Sequence, residues 1–405
     1  MKILVVVSEF PKLTETFAYR NIVEYERLGH DPWLFHIKPF RKNDVVHGFF
    51  EPMLPRVFSY SYFGAATLAA FLAEWARRPL KLSKLTARLV KAHWKEPKRG
   101  VAVAALFPKS VALGRWCRRE GVDHIHGEFA GHPANAAMIA SEIADLPFSF
   151  TAHANDIFVS QAMLVEKAQR ASFVRTISAF NVRFLEKLPG FPTERLKVVR
   201  CGVSEEAINA APPLPPLGED GLRILYVGSL IEKKGVNHLL DALAKLPDAL
   251  AWRARILGGG DLLDALKKQA ADLGIGERVV FEGPQPSEAV MAAHQDAHVL
   301  VVPSVLGKEG RVEGIPVVLM EAMGNGRLVI ASALSGIPEL VEDGVTGHLV
   351  TAGDSDAITA ALSDAAQNWD KTTTLAQAGQ NRIAEQYLIT HNARELARMM
   401  EDASQ

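Results

Sequence analysis

The sequence predicts an α/β protein built from two doubly wound domains, and three observations carry that reading. Short β-rich apolar runs alternate with amphipathic stretches along almost the whole chain, the pattern of parallel sheets covered on both faces. The runs fall into two sets on either side of a proline-rich break. The length of 405 residues exceeds one domain, since domains hold about 150 residues each.

The first set of candidate strands lies at residues 3–7, 33–37, 124–126, 148–151, 173–176 and 197–200. The opening run from Ile3 to Val7 is too short to cross a bilayer and reads as a buried strand. No run reaches the roughly 18 apolar residues of a transmembrane helix, and no signal-peptide pattern precedes it. The second set lies at 223–227, 254–257, 279–282, 299–302, 328–331 and 348–350. Between them stands Ala211-Pro212-Pro213-Leu214-Pro215-Pro216-Leu217-Gly218, which cannot continue a helix or a central strand. It reads as an interdomain linker or, alternatively, as a surface loop within one domain. The expected domains are 1–205 and 206–388.

Composition narrows the function classes. A formal net charge of −1 argues against a uniformly basic nucleic-acid binder. The charge is unevenly placed, because residues 75–119 hold thirteen basic side chains against Glu96 alone, a local +12 that leaves −13 elsewhere. Lys81, Lys84, Arg88, Lys91 and Lys95 recur every three or four residues and would share a helix face, with Trp75, Trp94 and Trp116 interleaved nearby. Such a surface suits an anionic membrane; the alternative is a solvated helix face. Two cysteines, Cys117 and Cys201, make no metal-ligand spacing and no disulfide scaffold. A cytoplasmic protein, peripheral at most at the inner face of the membrane, is expected.

The motif with the most chemistry is Glu313-Gly314-Ile315-Pro316-Val317-Val318-Leu319-Met320-Glu321. Pro316 fits a first helical turn, which places Glu313 in the preceding loop and Glu321 on the second turn. Backbone amides from Gly314 to Val317 would then face an anion, aided by the helix dipole. Strand 223–227 runs into Gly228-Ser229-Leu230-Ile231-Glu232-Lys233-Lys234-Gly235, a glycine turn with lysines that suits phosphate. Gly258-Gly259-Gly260-Asp261 follows the next strand, and Ser335-Gly336-Ile337-Pro338-Glu339 and Asp343-Gly344-Val345-Thr346-Gly347 follow later ones. Loops at strand C-termini are where doubly wound sheets bind ligands. A dinucleotide-dependent oxidoreductase fits poorly, because Gly258 and Gly260 are followed by Leu263 where a third glycine belongs.

These motifs, in this order, resemble retaining glycosyltransferase family four, of GT-B fold. In the N-terminal half, Phe10-Pro11-Lys12-Leu13-Thr14-Glu15-Thr16-Phe17, His124-Ile125-His126-Gly127-Glu128-Phe129-Ala130 and Phe150-Thr151-Ala152-His153-Ala154-Asn155-Asp156-Ile157-Phe158 resemble its exopolysaccharide, colanic-acid-type branch. The resemblance implies two Rossmann-like domains facing across a cleft, with residues 389–405 forming a helix that packs back on the first. It implies transfer of a sugar from a nucleotide diphosphate sugar to a glycan or lipid-linked hydroxyl, with retained anomeric configuration and no metal or other cofactor.

By the same resemblance, His153, Glu313 and Lys234 would be catalytic. The donor would be held by Gly228, Ser229, Lys233, Lys234, Gly259, Gly314, Ile315, Pro316 and Glu321, with Glu321 on the ribose. Thr14, Glu15 and His126 are the acceptor-side candidates; from its own position Thr14 reads as the cap of the next helix, whose N-terminus would face phosphate or acceptor, the alternative being a plain cap with no ligand. Residues 281–286 fall where the family's base-contacting loop lies. Ser229 departs from an arginine common in the family, and Lys233 or Arg311 is the candidate replacement for its charge. A metal is not expected at His124, His126, His132 and His153, because His124 and His126 are read as facing opposite sides of their strand. A non-catalytic nucleotide-sugar-binding partner and a same-fold epimerase or phosphorylase are the alternatives.

Overall fold

The computed structural model describes residues 1–12, 15–41, 48–94, 96–307 and 313–405. The chain divides into two compact units, Met1–Val199 with His391–Gln405, and Arg200–Thr390.

The first unit holds seven parallel strands: β1 (Lys2–Val7), β2 (Asp31–His36), β3 (Val57–Phe58), β4 (His124–Glu128), β5 (Phe148–Ala152), β6 (Val174–Thr176) and β7 (Leu196–Val198). Their order across the sheet is β3-β2-β1-β4-β5-β6-β7. Each strand except β3 was legible as an apolar run. β3 is two residues long and follows a 3-10 segment containing Pro52 and Pro55, so no periodicity announces it. The helices are α1 (Thr16–Arg27), α2 (Ala65–Arg77), α3 (Pro79–His93), α4 (Pro97–Glu120), α5 (His132–Ala144), α6 (Asn155–Phe158), α7 (Leu164–Arg170) and α8 (Ala179–Leu185). Alternation along β1 assigns the two faces. Leu4 and Val6 enter a core with Phe35, Ile125, Leu85 and Val111. Ile3, Val5 and Val7 enter another with Tyr19, Ile22, Ala393, Leu396 and Met400.

The second unit opens with α9 (Glu205–Asn209) and holds six parallel strands: β8 (Leu222–Val227), β9 (Trp252–Leu257), β10 (Val279–Gly283), β11 (Val299–Val302), β12 (Leu328–Ser332) and β13 (His348–Val350). Their order is β10-β9-β8-β11-β12-β13. The remaining helices are α10 (Val236–Ala244), α11 (Leu263–Asp272), α12 (Ser287–Asp296), α13 (Val317–Gly324), α14 (Ile337–Leu340), α15 (Ser355–Gln367), α16 (Trp369–Gln386) and α17 (Ile389–Ser404). α17 starts in the second unit, and from His391 onward it belongs to the first.

The proline-rich segment does not separate the units. It lies inside the second unit, where Arg327 Nη1 and Nη2 donate to the Pro213 and Pro212 carbonyls at 3.2 and 2.8 Å. Prolines lack amides but keep their carbonyls, so a buried guanidinium can fasten such a run to the domain it borders.

Both sheets share one topological consequence. In the first, the chain runs outward from β1 to β3 and then crosses to β4 on the other side. In the second, it runs from β8 to β10 and crosses to β11. The loops after β1 and β4, and after β8 and β11, therefore diverge and leave a crevice at the C-terminal edge of each sheet.

Buried imidazoles set the acid limit of this fold. Burial pushes His124 down to about 3, and His294 and His298 each down to about 4. The His298 Nδ1 accepts the Arg223 amide at 3.0 Å and so carries no proton. An unfolded chain has histidines near 6.5 and binds more protons than the folded one between that value and about 4. Stability is therefore fully present above 6.5 and falls as pH drops through the window, by up to about 1.4 kcal/mol per pH unit for each group. Melting temperature should decline steeply across it. His298→Asn, whose side-chain oxygen can take the Arg223 amide, should flatten the decline, and a wild-type curve already flat there would contradict the argument.

Candidate active site

In the second unit the crevice is built from three strand ends. After β8, Gly228 and Ser229 lead into a 3-10 turn over Glu232–Lys234, closed by Gly235 at φ +65°. A Cβ on Gly235 would stand 2.0 Å from the Pro303 carbonyl oxygen, so only glycine lets this turn lie against the loop after β11. The Val305 amide donates to the Lys233 carbonyl at 2.9 Å and fastens the same two loops. After β9, Gly258 at φ +145° approaches the Gly228 carbonyl closely enough that a Cβ would meet it at 1.8 Å. The Gly259 carbonyl accepts the Leu230 amide at 2.9 Å. The Ser229 carbonyl accepts the Tyr226 hydroxyl at 3.0 Å.

This framework aims two ammonium groups at one carboxylate. Lys234 Nζ lies 2.8 Å from Glu313 Oε2 and Lys233 Nζ 3.3 Å from Oε1. Ser304 Oγ, at the end of β11, donates to Glu313 Oε2 at 3.1 Å. Burial alone would raise the Glu313 pKa, but Lys234 and Lys233 outweigh it and hold it below the ordinary value. The cluster carries one surplus positive charge. Gly314, Ile315 and Pro316 follow, and α13 begins at Val317 with Pro316 as its cap residue, one place later than the sequence suggests. The Leu319 amide donates to the Pro316 carbonyl at 3.1 Å, and the Val317 and Val318 amides open α13 with no acceptor one turn back. Glu321 stands on the second turn, with its Oε2 3.9 Å from His294 Nε2. Lys233, one candidate replacement for the missing arginine, faces Glu313 beside Lys234, and Arg311, the other, lies outside the described residues.

In the first unit the crevice collects Glu128 from the end of β4 and His153 just after β5. His153 Nε2 lies 2.8 Å from Glu128 Oε1. Glu128 also faces Arg175 at 3.7 Å and His126 at 3.5 Å. Burial opposes its charge, yet His126, His153 and Arg175 hold its carboxyl well below the usual range. An ionised carboxylate only accepts, so the proton between the pair belongs to His153 Nε2. The backbone around His153 is clamped by the Asp156 carboxylate, which accepts the amides of Ala130, His153 and Ala154 at 2.7, 3.1 and 2.8 Å. Asn181 Nδ2 donates to the His153 carbonyl. Phe129, at φ +88°, is a left-handed non-glycine residue, a conformation costing about 1 kcal/mol or more. Its ring stands 4.6 Å from that of His153, and Phe17 packs on the imidazole at 4.9 Å.

The acceptor-side expectations change here. His126 is fully buried, bonded to Ser149 Oγ at 2.7 Å and Thr151 Oγ1 at 2.8 Å, and cannot reach a ligand. His124 shares its strand face, because side chains two apart on a strand point the same way, and it also bonds Ser149 Oγ, at 2.8 Å. Glu15 is buried and pairs with Lys12 at 2.6 Å, close enough to His153 for their charges to interact. Thr14 lies outside the described residues. Among the described residues, no three His, Cys, Asp or Glu side chains are grouped to hold a metal ion.

The family described as "Glycosyl transferases group 1" matches residues 213–382. Over 280 residues the chain is 33% identical to the GDP-mannose-dependent alpha-(1-6)-phosphatidylinositol monomannoside mannosyltransferase of Mycolicibacterium smegmatis, covering 66% of this chain and 68% of that protein. This chain belongs to the group 1 glycosyltransferases. It is also 26% identical to the putative colanic acid biosynthesis glycosyltransferase WcaL of Salmonella typhimurium, over 99% of this chain and 100% of the relative. Among solved structures, Anabaena Alr3699/HepE in complex with UDP-glucose matches with a TM-score of 0.74 at 20% identity, over 99% of this chain and 100% of that one. That likeness is one of fold, the GT-B arrangement of two parallel-sheet α/β domains.

Three residues of this glycosyltransferase escaped the sequence reading as site components. Glu128 and Asp156 stood inside quoted motifs without a role, and Ser304 stood in none. Acidic residues at the ends of buried strands, next to a histidine motif, were the available signal.

Proposed function

We propose that this glycosyltransferase moves a sugar from a nucleoside diphosphate sugar to a hydroxyl of a glycan or lipid-linked acceptor, with retention, in exopolysaccharide assembly in the cytoplasm. The observation that carries it is the Lys233–Lys234–Glu313 cluster beside the opening amides of α13. Two cations and a helix N-terminus suit a diphosphate, and a buried carboxylate among them suits sugar hydroxyls. The similarity to a colanic acid enzyme supports the exopolysaccharide setting.

In this reading Lys234, Lys233 and the α13 amides stabilise the charge that builds on the leaving diphosphate. Glu313 binds the transferred sugar and Glu321 the ribose. The bond from the anomeric carbon to phosphate oxygen breaks, the acceptor oxygen bonds to the same face, and its proton passes to the leaving phosphate. No metal takes part. His153, clamped by Glu128 and Asp156, is the active-site side chain of the first unit. The acceptor side is peripheral to a membrane through residues 75–119.

Incubation with a panel of nucleotide sugars and lipid-linked or free glycan acceptors, read by mass spectrometry and NMR, tests this. Product should form from one donor with the anomeric configuration kept. An inverted linkage would sink the retaining mechanism, and donor turnover without a glycosylated product would sink the transfer.

A further inference from the structure

We propose that the outward face of α2 and α3, with the start of α4, is a docking surface for an anionic lipid bilayer. The inference deepens the membrane contact proposed above by naming its surface and its lipid, uses the first unit alone, and stands whether or not the donor reading holds.

The basic residues of this region divide into two groups. One group is internal to the fold. Glu74, fully buried on α2, is met by Arg78, Arg115 and Arg118. Asp145 takes Arg78 and Lys81, and Arg88 bridges Glu142 and Glu166. Lys109 is buried against the Ile37 carbonyl. The expected continuous basic face of α3 is therefore split, since Lys81 and Arg88 turn toward these acids. The second group, Arg77, Lys84, Lys91 and Lys98, is exposed and has no carboxylate partner among the described residues.

Apolar side chains share that outward side. On α2 only Thr67 and Glu74 are fully buried. Leu72 is 65% exposed, with alanines at 65, 69, 73 and 76 around it. On α3 the core takes Leu82, Leu85 and Leu89. The opposite stripe runs Leu80, Lys84, Ala87, Lys91, Trp94, at steps of three or four, so these side chains stand one above another. Leu80 is 77% and Trp94 80% exposed, and Val101 at the start of α4 is 72% exposed. α2 and α3 both pack on α4, and their uncovered stripes face away from it.

The charge pattern selects the occupant. The stripes carry exposed cations and no carboxylate, so a second copy of this chain would set lysine against lysine. An anionic bilayer answers both features: leucines and Trp94 enter the headgroup boundary while the lysine stems lie along it with their ammonium groups on lipid phosphates. No described helix is long and apolar enough to cross a membrane, so this contact lies on the surface. The far end of the stripe meets the segment after α6, the short helix that follows His153. Lys91 and Trp94 line one depression there with Gln161, Met163 and Glu96, whose carboxylate is taken by Arg99. A lipid-linked acceptor would thus arrive beside the histidine loop.

The test is co-sedimentation of the full chain with vesicles of phosphatidylcholine, or of phosphatidylcholine with an equal part of phosphatidylglycerol. Binding to the mixed vesicles only, weakened by salt, is expected. Lys84→Glu with Lys91→Glu should weaken it roughly a hundredfold, and Leu72→Glu with Trp94→Glu should abolish it, with melting temperature unchanged in both. Wild-type protein left in the supernatant overturns the proposal, as do variants that bind like wild type. A dimer in solution that Leu72→Glu dissociates overturns it in favour of a second copy. Vesicle binding is read without donor, so its loss and a failed donor panel are separate results.

Discussion

Lys234→Ala is expected to lower kcat by about a thousandfold, the scale of removing one preorganised stabiliser of transition-state charge, in a protein that still folds. Its ammonium stands 2.8 Å from Glu313 Oε2 in a partly buried cluster, where screening is weak. Lys233, 3.3 Å from the other oxygen, would remain and limit the loss. Because Lys234 is the largest influence holding the Glu313 pKa down against burial, its removal should also move the acidic limb of the pH–rate profile upward. Glu313→Gln separates two effects of the same cluster. In the proposed reading it removes a sugar contact, so kcat should fall. It also frees both lysines from a carboxylate, so the product nucleoside diphosphate should bind roughly tenfold more tightly. Steady-state kinetics and calorimetry with the nucleotide measure both. Wild-type turnover in Lys234→Ala would remove the lysine from the mechanism.

The second large effect belongs to the His153–Glu128 pair. His153→Ala should cost roughly a hundredfold or more in kcat with little change in melting temperature, because Asp156 and Asn181 hold the loop through its backbone. Glu128→Gln should do two things at once. It takes one charge partner from buried Arg175, a change of about 3–5 kcal/mol in stability when a buried pair is broken. It also stops enforcing a proton on His153 Nε2, so kcat per folded molecule falls and the pH profile shifts. Calorimetry and activity on the folded fraction tell the roles apart. Reduced stability with unchanged kcat and pH profile would make Glu128 structural only.

Most of the architecture was legible because buried parallel strands are continuous apolar runs, and twelve such runs stand at β1, β2 and β4 to β13. β3 was not, being too short to show a period. The donor cluster was legible in outline, since glycine turns and Glu313 sit in recognisable strings. Its electrostatics were not, because Lys233 and Lys234 meet Glu313 only once two separate βα loops touch, and Ser304 reaches it from nine residues away on its own loop. The proline run misled because proline content reports what a segment cannot form, not what its carbonyls are fastened to. The basic segment looked more continuous than it is for a related reason: Glu74 at its edge, and Glu142 and Asp145 further along the chain, turn five of its thirteen cations inward.

The first sheet has one of its faces covered by Ala393, Leu396 and Met400, yet residues 200–390 fold elsewhere. During synthesis the ribosome makes those residues at about 5–20 per second, so Ile3, Val5 and Val7 wait on the order of ten seconds or more for their cover. The second unit is contiguous, and its last residues, Ile389 and Thr390, are made before the stretch of α17 that completes the first. The unit translated first is therefore the one whose apolar cover is made last.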